Sequence, residues 1–210
     1  MHHTQRPHDL LWGMTFEQLP ADAPDWARQV LVDGQPVVVR RALLAAAQLP
    51  IGIRGLSRDQ RYASVMPASA VLRSVSPEQL VVRLPVATLP ALRALALLKP
   101  HLDDLGLAWG VTGSVGYQLA TGIETAHANS DLDLLLRTPL ALCRRRAGEL
   151  QRRLDEASCR VDMQLETPSG GVALREWAGE STRVLVKCVT GARLIENPWS
   201  NGLDERERVA

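Results

Sequence analysis

Apolar and polar residues follow regular patterns in the second half of the chain, and these patterns predict several strands. Over residues 159–166 they alternate with a period of two, which is typical of a strand with one buried face. Residues 131–137 predict another strand, and the apolar runs 107–112 and 183–189 predict two more. The second half therefore contains enough strands to build a sheet.

Helical spacing lies between these strands. Residues 115–121 predict a helix that ends at Gly122. A second apolar stripe, with steps of three and four residues, predicts a helix that begins near Pro139. The residues of this stripe are Leu140, Cys143, Ala147, Leu150 and Leu154.

The first half is less regular. Runs 30–32 and 37–41 favour strands, and residues 33–36 between them suggest a hairpin. Leucines recur at helical spacing from Leu92 to Leu102, although Pro100 is expected to kink or end that helix early. We therefore predict an α+β or α/β fold in two parts. Residues 1–88 form a smaller α+β N-terminal domain, and residues 89–210 form a mixed sheet backed by helices.

Composition narrows the possible partners. The 24 basic and 23 acidic residues leave a formal charge of +1, so no overall field attracts nucleic acid or an acidic membrane. No apolar run reaches the roughly 18 to 20 residues that span a bilayer. The three cysteines contain no C-x-x-C pair. We expect a cytoplasmic protein with no nucleic-acid or membrane partner.

Two aspartates, Asp131 and Asp133, lie two residues apart in a predicted strand. Residues at this spacing share a face, roughly 6 to 7 Å apart along the backbone. Such a pair suits Mg²⁺, which is commonly held by one or two carboxylates together with substrate phosphates. Asp162, on the polar face of the next strand, could bind a second metal or accept the proton of a nucleophile. Glu166 shares that face and is the alternative third carboxylate.

A possible phosphate-binding turn precedes these carboxylates. Gly113 and Ser114 lie between a predicted strand and a predicted helix. Glycine lets the backbone approach phosphate closely, the helix offers free N–H groups, and Ser114 adds a hydroxyl donor. Lys187, on a later strand, could neutralise a leaving pyrophosphate. Each motif alone is weak, but their order along the chain indicates metal-assisted nucleotidyl transfer.

Basic residues also cluster in the first half, at Arg54, Arg58 and Arg61. Their guanidinium groups could close over a triphosphate through bidentate contacts. The same cluster could equally be a solvated or ion-paired surface. His8 could contact substrate, but without a partner in the sequence we interpret it as a structural residue.

The order of these residues resembles the DNA polymerase β-like nucleotidyltransferase superfamily. Its pattern is a Gly-Ser turn, then two carboxylates on a strand, then a later third carboxylate. The resemblance implies that Asp131 and Asp133 bind the metal and that Asp162 is the third carboxylate.

Longer motifs extend this resemblance over nearly the whole chain. They are Arg6-Pro-His-Asp-Leu-Leu-Trp12, Gly52-Ile-Arg-Gly55, Gly113-Ser-Val-Gly-Tyr-Gln-Leu119, Ser130-Asp-Leu-Asp-Leu134 and Val161-Asp-Met-Gln-Leu-Glu-Thr-Pro168. They look like those of the malonate decarboxylase holo-acyl-carrier-protein synthases, which are phosphoribosyl-dephospho-CoA transferases. The resemblance implies a donor, 2′-(5″-triphosphoribosyl)-3′-dephospho-CoA, and an acceptor, a serine of the apo acyl-carrier subunit of malonate decarboxylase. It also implies release of pyrophosphate.

Two alternatives stay open. The same centre could use ATP or another nucleoside triphosphate to modify a protein or small molecule, because only the donor would differ. A catalytically silent assembly or scaffold subunit could keep the fold and bind the carrier. Such a subunit would have no chemical need for three carboxylates.

Overall fold

The computed structural model describes residues 5–57, 59–82 and 89–200, so Arg58 of the predicted basic cluster lies outside the described residues. The strands are β1 (Leu10–Trp12), β2 (Val37–Val39), β3 (Gln48–Arg54), β4 (Arg61–Pro67), β5 (Arg73–Val75), β6 (Trp109–Val111), β7 (Leu132–Arg137), β8 (Val161–Thr167), β9 (Gly170–Ala173), β10 (Val184–Cys188) and β11 (Gly191–Ile195). The α-helices are α1 (Asp25–Val32), α2 (Pro90–Asp103), α3 (Gly113–Thr121), α4 (Arg144–Asp155) and α5 (Leu174–Ala178). Short 3-10 helices cover Phe16–Gln18, Ala68–Ala70 and Pro77–Val81.

The first sheet is antiparallel, with the strand order β4-β3-β2-β1-β5. Helix α1 packs on β3 and buries Ala27, Val30 and Leu31. These residues join strand side chains such as Leu11 and Ile51 in one apolar core. Burial of this surface is the main force that holds the first sheet to its helix.

The second sheet is mixed, with the strand order β11-β10-β9-β8-β7-β6. Strands β7 and β8 pair in parallel, and α4 is the crossover between them, as parallel neighbours require. A separate apolar core backs this sheet and includes Leu134, Leu136 and Leu165 together with Leu95 and Leu98 of α2. The two sheets and their helices form an α+β, nucleotidyltransferase-like fold, which confirms the predicted fold class.

Three local expectations were wrong. Residues 30–32 are helical because Ala27, Val30 and Leu31 can bury one helix face, and this packing outweighs the strand preference of valine. The hairpin expected across residues 33–36 is instead a helix end, with Gly34 at a φ of 68°. Helix α2 continues past Pro100 to Asp103, because buried Leu98 and Leu102 hold its last turn against the core.

The helix expected from Pro139 starts later, at Arg144. Leu140 is 82% exposed and Cys143 is the residue that precedes the helix, so neither belongs to the apolar stripe. Leu142 is buried instead, and its carbonyl accepts a hydrogen bond of 2.7 Å from Trp177 Nε1. Among the described helices, none is long and apolar enough to cross a membrane.

Gly110 of β6 packs directly on the 3-10 helix Pro77–Val81. A Cβ at this position would collide with the backbone of Pro77 and Glu78. We predict that Gly110→Ala lowers the free energy of unfolding by about 1–3 kcal/mol, the usual cost of overpacking. Urea denaturation would measure it.

Gly148 of α4 is the matched control, because a Cβ there would meet no heavy atom within 4 Å. We expect Gly148→Ala to be neutral or to stabilise by up to about 1 kcal/mol, since alanine favours the helix. Equal stability of Gly110→Ala and the wild type would contradict the packing described for β6.

Candidate active site

A cleft of about 780 Å³ lies between the two sheets. The first sheet contributes Arg54 and Arg61 to its lining, and the second contributes Asp133, Asp162 and Lys187. Most of the charged residues singled out in the sequence therefore line one cavity. Asp131 and Ser114 are half-buried neighbours of lining residues but do not line the cleft themselves.

The floor of the cleft is one face of the second sheet. In β8 the residues Val161, Met163 and Leu165 are buried, whereas Asp162 and Gln164 are half-buried on the other face. The parallel register pairs Asp133 of β7 with Asp162 of β8. Neighbouring strands lie about 4.8 Å apart, so the backbones that carry these two carboxylates are adjacent in the floor of the cleft.

The turn at Gly113 lies against Asp133. Gly113 has a φ of 62°, and a Cβ at this position would collide with the Asp133 carboxylate. The Thr112 backbone N–H donates to the Asp133 carbonyl at 2.9 Å, which fixes the turn to β7. Glycine is therefore required here both by its backbone conformation and by its close approach to the carboxylate. Helix α3 begins at Gly113, so its free N–H groups lie at the same point.

One guanidinium lies among the three predicted carboxylates. Arg160 binds Asp162 through Nε–Oδ1 and NH2–Oδ2 contacts of 3.2 and 3.0 Å. The pKa of Arg160 is raised, mainly by the hydrogen bond and the charge of Asp162 and to a lesser extent by the charges of Asp131 and Asp133. Asp162 thus contacts the guanidinium directly, and the charges of Asp131 and Asp133 also act on it.

Of the two aspartates predicted to bind a metal, Asp133 lines the cleft, whereas Asp131 precedes β7 and does not line it. Among the described residues, no group of three or more His, Cys, Asp and Glu side chains could hold a metal ion. Mg²⁺ needs only one or two protein carboxylates when substrate phosphates and water complete its shell. Asp131 and Asp133 can supply that number, while Asp162 is engaged by Arg160.

Arg54 reaches the end of the cleft near helix α3 from the first sheet. Its guanidinium carbon lies 5.8 Å from the ring centroid of Tyr117 in α3, and it is paired across strands with Arg61. Burial, then the charge of Arg61, lowers the pKa of Arg54, whereas Tyr117 and Asp133 act in the opposite direction. Its buried Nε has no hydrogen-bond partner among the described residues. A buried donor of this kind is what a bound anion would satisfy.

Lys187 lies at the opposite end of the floor. It pairs in register with Gly171, which in turn pairs with Glu166 of β8. The backbone of Lys187 therefore lies about 13 Å from that of Asp133 along the strands and about 14 Å across them. Arg54 therefore lies nearer the Gly113 turn than Lys187 does.

His8 takes part in a hydrogen-bonded ring that joins the two sheets. Its Nε2 accepts from Gln164 Nε2 at 2.9 Å and faces Arg41 NH1 at 3.3 Å. Gln164 Nε2 also donates to Glu166 Oε1 at 2.6 Å, and Arg41 forms an ion pair with the same carboxylate. Sequence reasoning missed this ring, because His8 and Arg41 lie 156 and 125 residues from their partners Gln164 and Glu166.

Burial, followed by the charge of Arg41, lowers the pKa of His8 to about 4. The imidazole is therefore neutral at physiological pH. His8 has a φ of 76°, a left-handed conformation that is uncommon outside glycine. The structural interpretation of His8 agrees with these contacts, but His8 also lines the cleft.

A second polar network supports the same interface. Glu78 accepts from Arg137 Nε at 2.8 Å and from Arg6 NH2 at 3.3 Å. Asp9 is fully buried nearby and accepts from the Arg6 backbone N–H at 2.8 Å. Burial raises the pKa of Asp9. Arg6 and His8 of the Arg6-to-Trp12 motif thus contribute to the contact between the sheets, while Leu10–Trp12 form β1 of the first sheet.

The fold and the cleft are those of an α+β transferase of the nucleotidyltransferase-like class. Two family models match the chain. The N-terminal domain of phosphoribosyl-dephospho-CoA transferase MdcG matches residues 6–77, and its C-terminal domain matches residues 79–198. The chain therefore belongs to the phosphoribosyl-dephospho-CoA transferase family.

Curated relatives agree with this assignment. A phosphoribosyl-dephospho-CoA transferase of Pseudomonas fluorescens is 56% identical over 194 residues, which cover 92% of this chain and 93% of that protein. The transferase of Azotobacter vinelandii is 54% identical over 209 residues, covering 95% and 98%. The transferase of Pseudomonas aeruginosa is 51% identical and covers 92% and 93%. No solved structure matches the chain.

The neutral state of His8 predicts a loss of stability in acid. Between pH 6.5 and about 4, the unfolded chain binds a proton at His8 that the folded protein does not. The free energy of unfolding should therefore fall as the pH falls through this window, by on the order of 3 kcal/mol from this group. Urea denaturation at several pH values would measure the slope.

His8→Asn removes the titrating group, and asparagine tolerates a left-handed φ. Its unfolding free energy should depend less on pH between 6.5 and 4 than that of the wild type. His101→Asn, at an exposed histidine, is the matched control and should keep the wild-type slope. Identical slopes for the wild type and His8→Asn would refute a neutral, buried His8.

Proposed function

We propose that the protein transfers 2′-(5″-triphosphoribosyl)-3′-dephospho-CoA to a serine of the apo acyl-carrier subunit of malonate decarboxylase. The serine Oγ forms a bond to the α-phosphorus as the bond from that phosphorus to the bridging oxygen breaks. That oxygen leaves with pyrophosphate, and the hydroxyl proton passes to a carboxylate. The observation that carries the proposal is the Asp133 carboxylate held directly against the Gly113 turn inside the cleft.

Asp131 and Asp133 would hold Mg²⁺ in this reaction. The bound ion would neutralise charge on the phosphoryl oxygens and on the leaving pyrophosphate. Asp131 comes directly before β7 and Asp133 is the second residue of that strand, and the charges of both act on the guanidinium of Arg160. This shared field supports a common cation site for the pair.

The phosphates would bind at the turn. Helix α3 begins at Gly113, so its first free N–H groups would bind phosphate oxygens there. Ser114 adds a hydroxyl next to them. Arg54 and Arg61 would close over the β- and γ-phosphates, and the unpartnered Nε of Arg54 supports that role. Arg58 belongs to the same cluster in the sequence and lies outside the described residues.

Asp162 is the carboxylate that we assign to the serine proton. It neighbours Asp133 in register, and its side chain is 40% exposed, so an incoming hydroxyl can reach it. Its present partner, Arg160, would move toward the donor phosphates as the hydroxyl enters. Glu166, the alternative, is bound to Arg41 and Gln164 in the interface, which makes it less available as a base.

We predict that Asp133→Asn lowers the transfer rate by at least about a hundredfold, because one of two charged ligands of the ion is lost. Binding of the apo carrier should persist. Intact mass spectrometry of the carrier would measure transfer, and titration calorimetry would measure binding. Asp22→Asn, at an exposed aspartate, is the matched control and should keep wild-type turnover.

The donor is tested in the same assay. The carrier should gain the mass of phosphoribosyl-dephospho-CoA when the triphosphoribosyl donor and Mg²⁺ are supplied. Chelation of the metal should stop the reaction, and added Mg²⁺ should restore it. Modification from ATP alone would overturn the choice of donor. Unchanged turnover in Asp133→Asn would remove the carboxylate-bound ion from the mechanism.

A further inference from the structure

The end of the cleft floor away from the Gly113 turn carries polar groups that the transfer chemistry does not use. We propose that His8 and Lys187 form a second anion-binding subsite, which takes the diphosphate bridge of the dephospho-CoA half of the donor. The identity of this anion rests on the function proposed above. The subsite itself rests on the positions and hydrogen bonds of His8 and Lys187.

Both residues line the cleft that holds Asp133, but from different sheets. Lys187 lies on β10, in the row of the floor that contains Gly171 and Glu166. His8 lies over the floor from the first sheet and is fixed there by Gln164 of β8. The amide of Gln164 that binds His8 lies over Gly171, which is the β9 partner of Lys187, so His8 and Lys187 lie on either side of the same part of the floor.

The hydrogen bonds of His8 determine which of its nitrogens can meet a ligand. A guanidinium can only donate, so His8 Nε2, which faces Arg41 NH1, must be the acceptor. In a neutral imidazole the other nitrogen, Nδ1, then carries the proton. Among the described residues, Nδ1 makes no hydrogen bond. His8 therefore offers an N–H donor and not a base.

The charges around His8 favour an anion. Three cations, Arg41, Arg137 and Lys187, and one carboxylate, Glu166, act on the imidazole. Arg41 and Arg137 are engaged with Glu166 and Glu78. Lys187 forms no ion pair or hydrogen bond within the described part of the chain and is exposed on the cleft wall. Lys187 is thus the cation that an entering ligand can bind.

The donor has two anionic parts that fit the two ends of this cleft. Its reactive triphosphate is separated by two ribose rings from the diphosphate that links adenosine to pantetheine. With the triphosphate at Gly113 and Asp133, the diphosphate must lie some distance away. The backbone of Lys187 lies about 13 Å along the strands and about 14 Å across them from the backbone of Asp133. Lys187 is therefore well separated from the triphosphate end of the cleft. This assignment replaces the leaving pyrophosphate as the partner of Lys187.

Two simple probes separate the ends of the cleft. 3′-Dephospho-CoA contains the diphosphate but no triphosphate, and inorganic tripolyphosphate with Mg²⁺ contains only the latter. Titration calorimetry should show that Lys187→Ala lowers the affinity for 3′-dephospho-CoA about tenfold, the loss expected for one charge-assisted contact. The affinity of the same variant for tripolyphosphate should be unchanged. Arg54→Ala should show the opposite pattern.

The chain provides a matched control, because its only other lysine is Lys99, which pairs with Asp103 on α2. Lys99→Ala should bind both probes as the wild type does. His8→Ala should also weaken 3′-dephospho-CoA. His8→Asn, which restores an N–H donor close to the former Nδ1, should recover part of that loss. Circular dichroism would check that each variant is folded.

The subsite and the proposed function can fail separately. The subsite is refuted if Lys187→Ala lowers the affinity for tripolyphosphate instead of 3′-dephospho-CoA, or changes neither affinity. It is also refuted if the wild type does not bind 3′-dephospho-CoA. If Lys187→Ala shows the expected selective loss but the wild type does not modify the carrier, the subsite stands and the proposed acceptor is wrong.

Discussion

The close approach of the Asp133 carboxylate to the Gly113 turn is the contact on which the site depends. It requires a glycine with a positive φ, a backbone hydrogen bond from Thr112 to Asp133, and antiparallel pairing of β6 with β7. The positive end of helix α3, which begins at Gly113, attracts the Asp133 carboxylate that lies against it. The fold thus places a carboxylate and the positive end of a helix side by side on the wall of the cleft.

The second requirement is that the two sheets stay together. Their interface is polar: the ring of His8, Gln164, Glu166 and Arg41 closes one part of it, and Arg6 with Glu78 closes another. Buried ionic contacts of this kind specify an arrangement more than they stabilise it. The protein therefore fixes the width of its cleft with groups that must be paired in one geometry.

Much of the second sheet could be predicted from the sequence, because period-two alternation in β8 and the Asp131, Asp133 spacing are local properties. The helix α1 was missed because its valines favour strands and only packing on β3 decides otherwise. The sheet-joining ring was also missed, since His8 and Gln164 are 156 residues apart and no local pattern links them. Lys187 could be singled out by its strand, but its place on the floor required the register of β9.

Gly171 shows how a residue without chemistry of its own can govern the site. Any Cβ at this position would press against the amide of Gln164, whose carbon and nitrogen lie 2.8 Å from it. That amide donates a hydrogen bond to His8, so a larger residue at position 171 would move the imidazole and weaken the contact between the two sheets. A side chain at residue 171 would therefore act on the contact between the sheets through Gln164 and His8, without touching either of them covalently or replacing any of their polar groups.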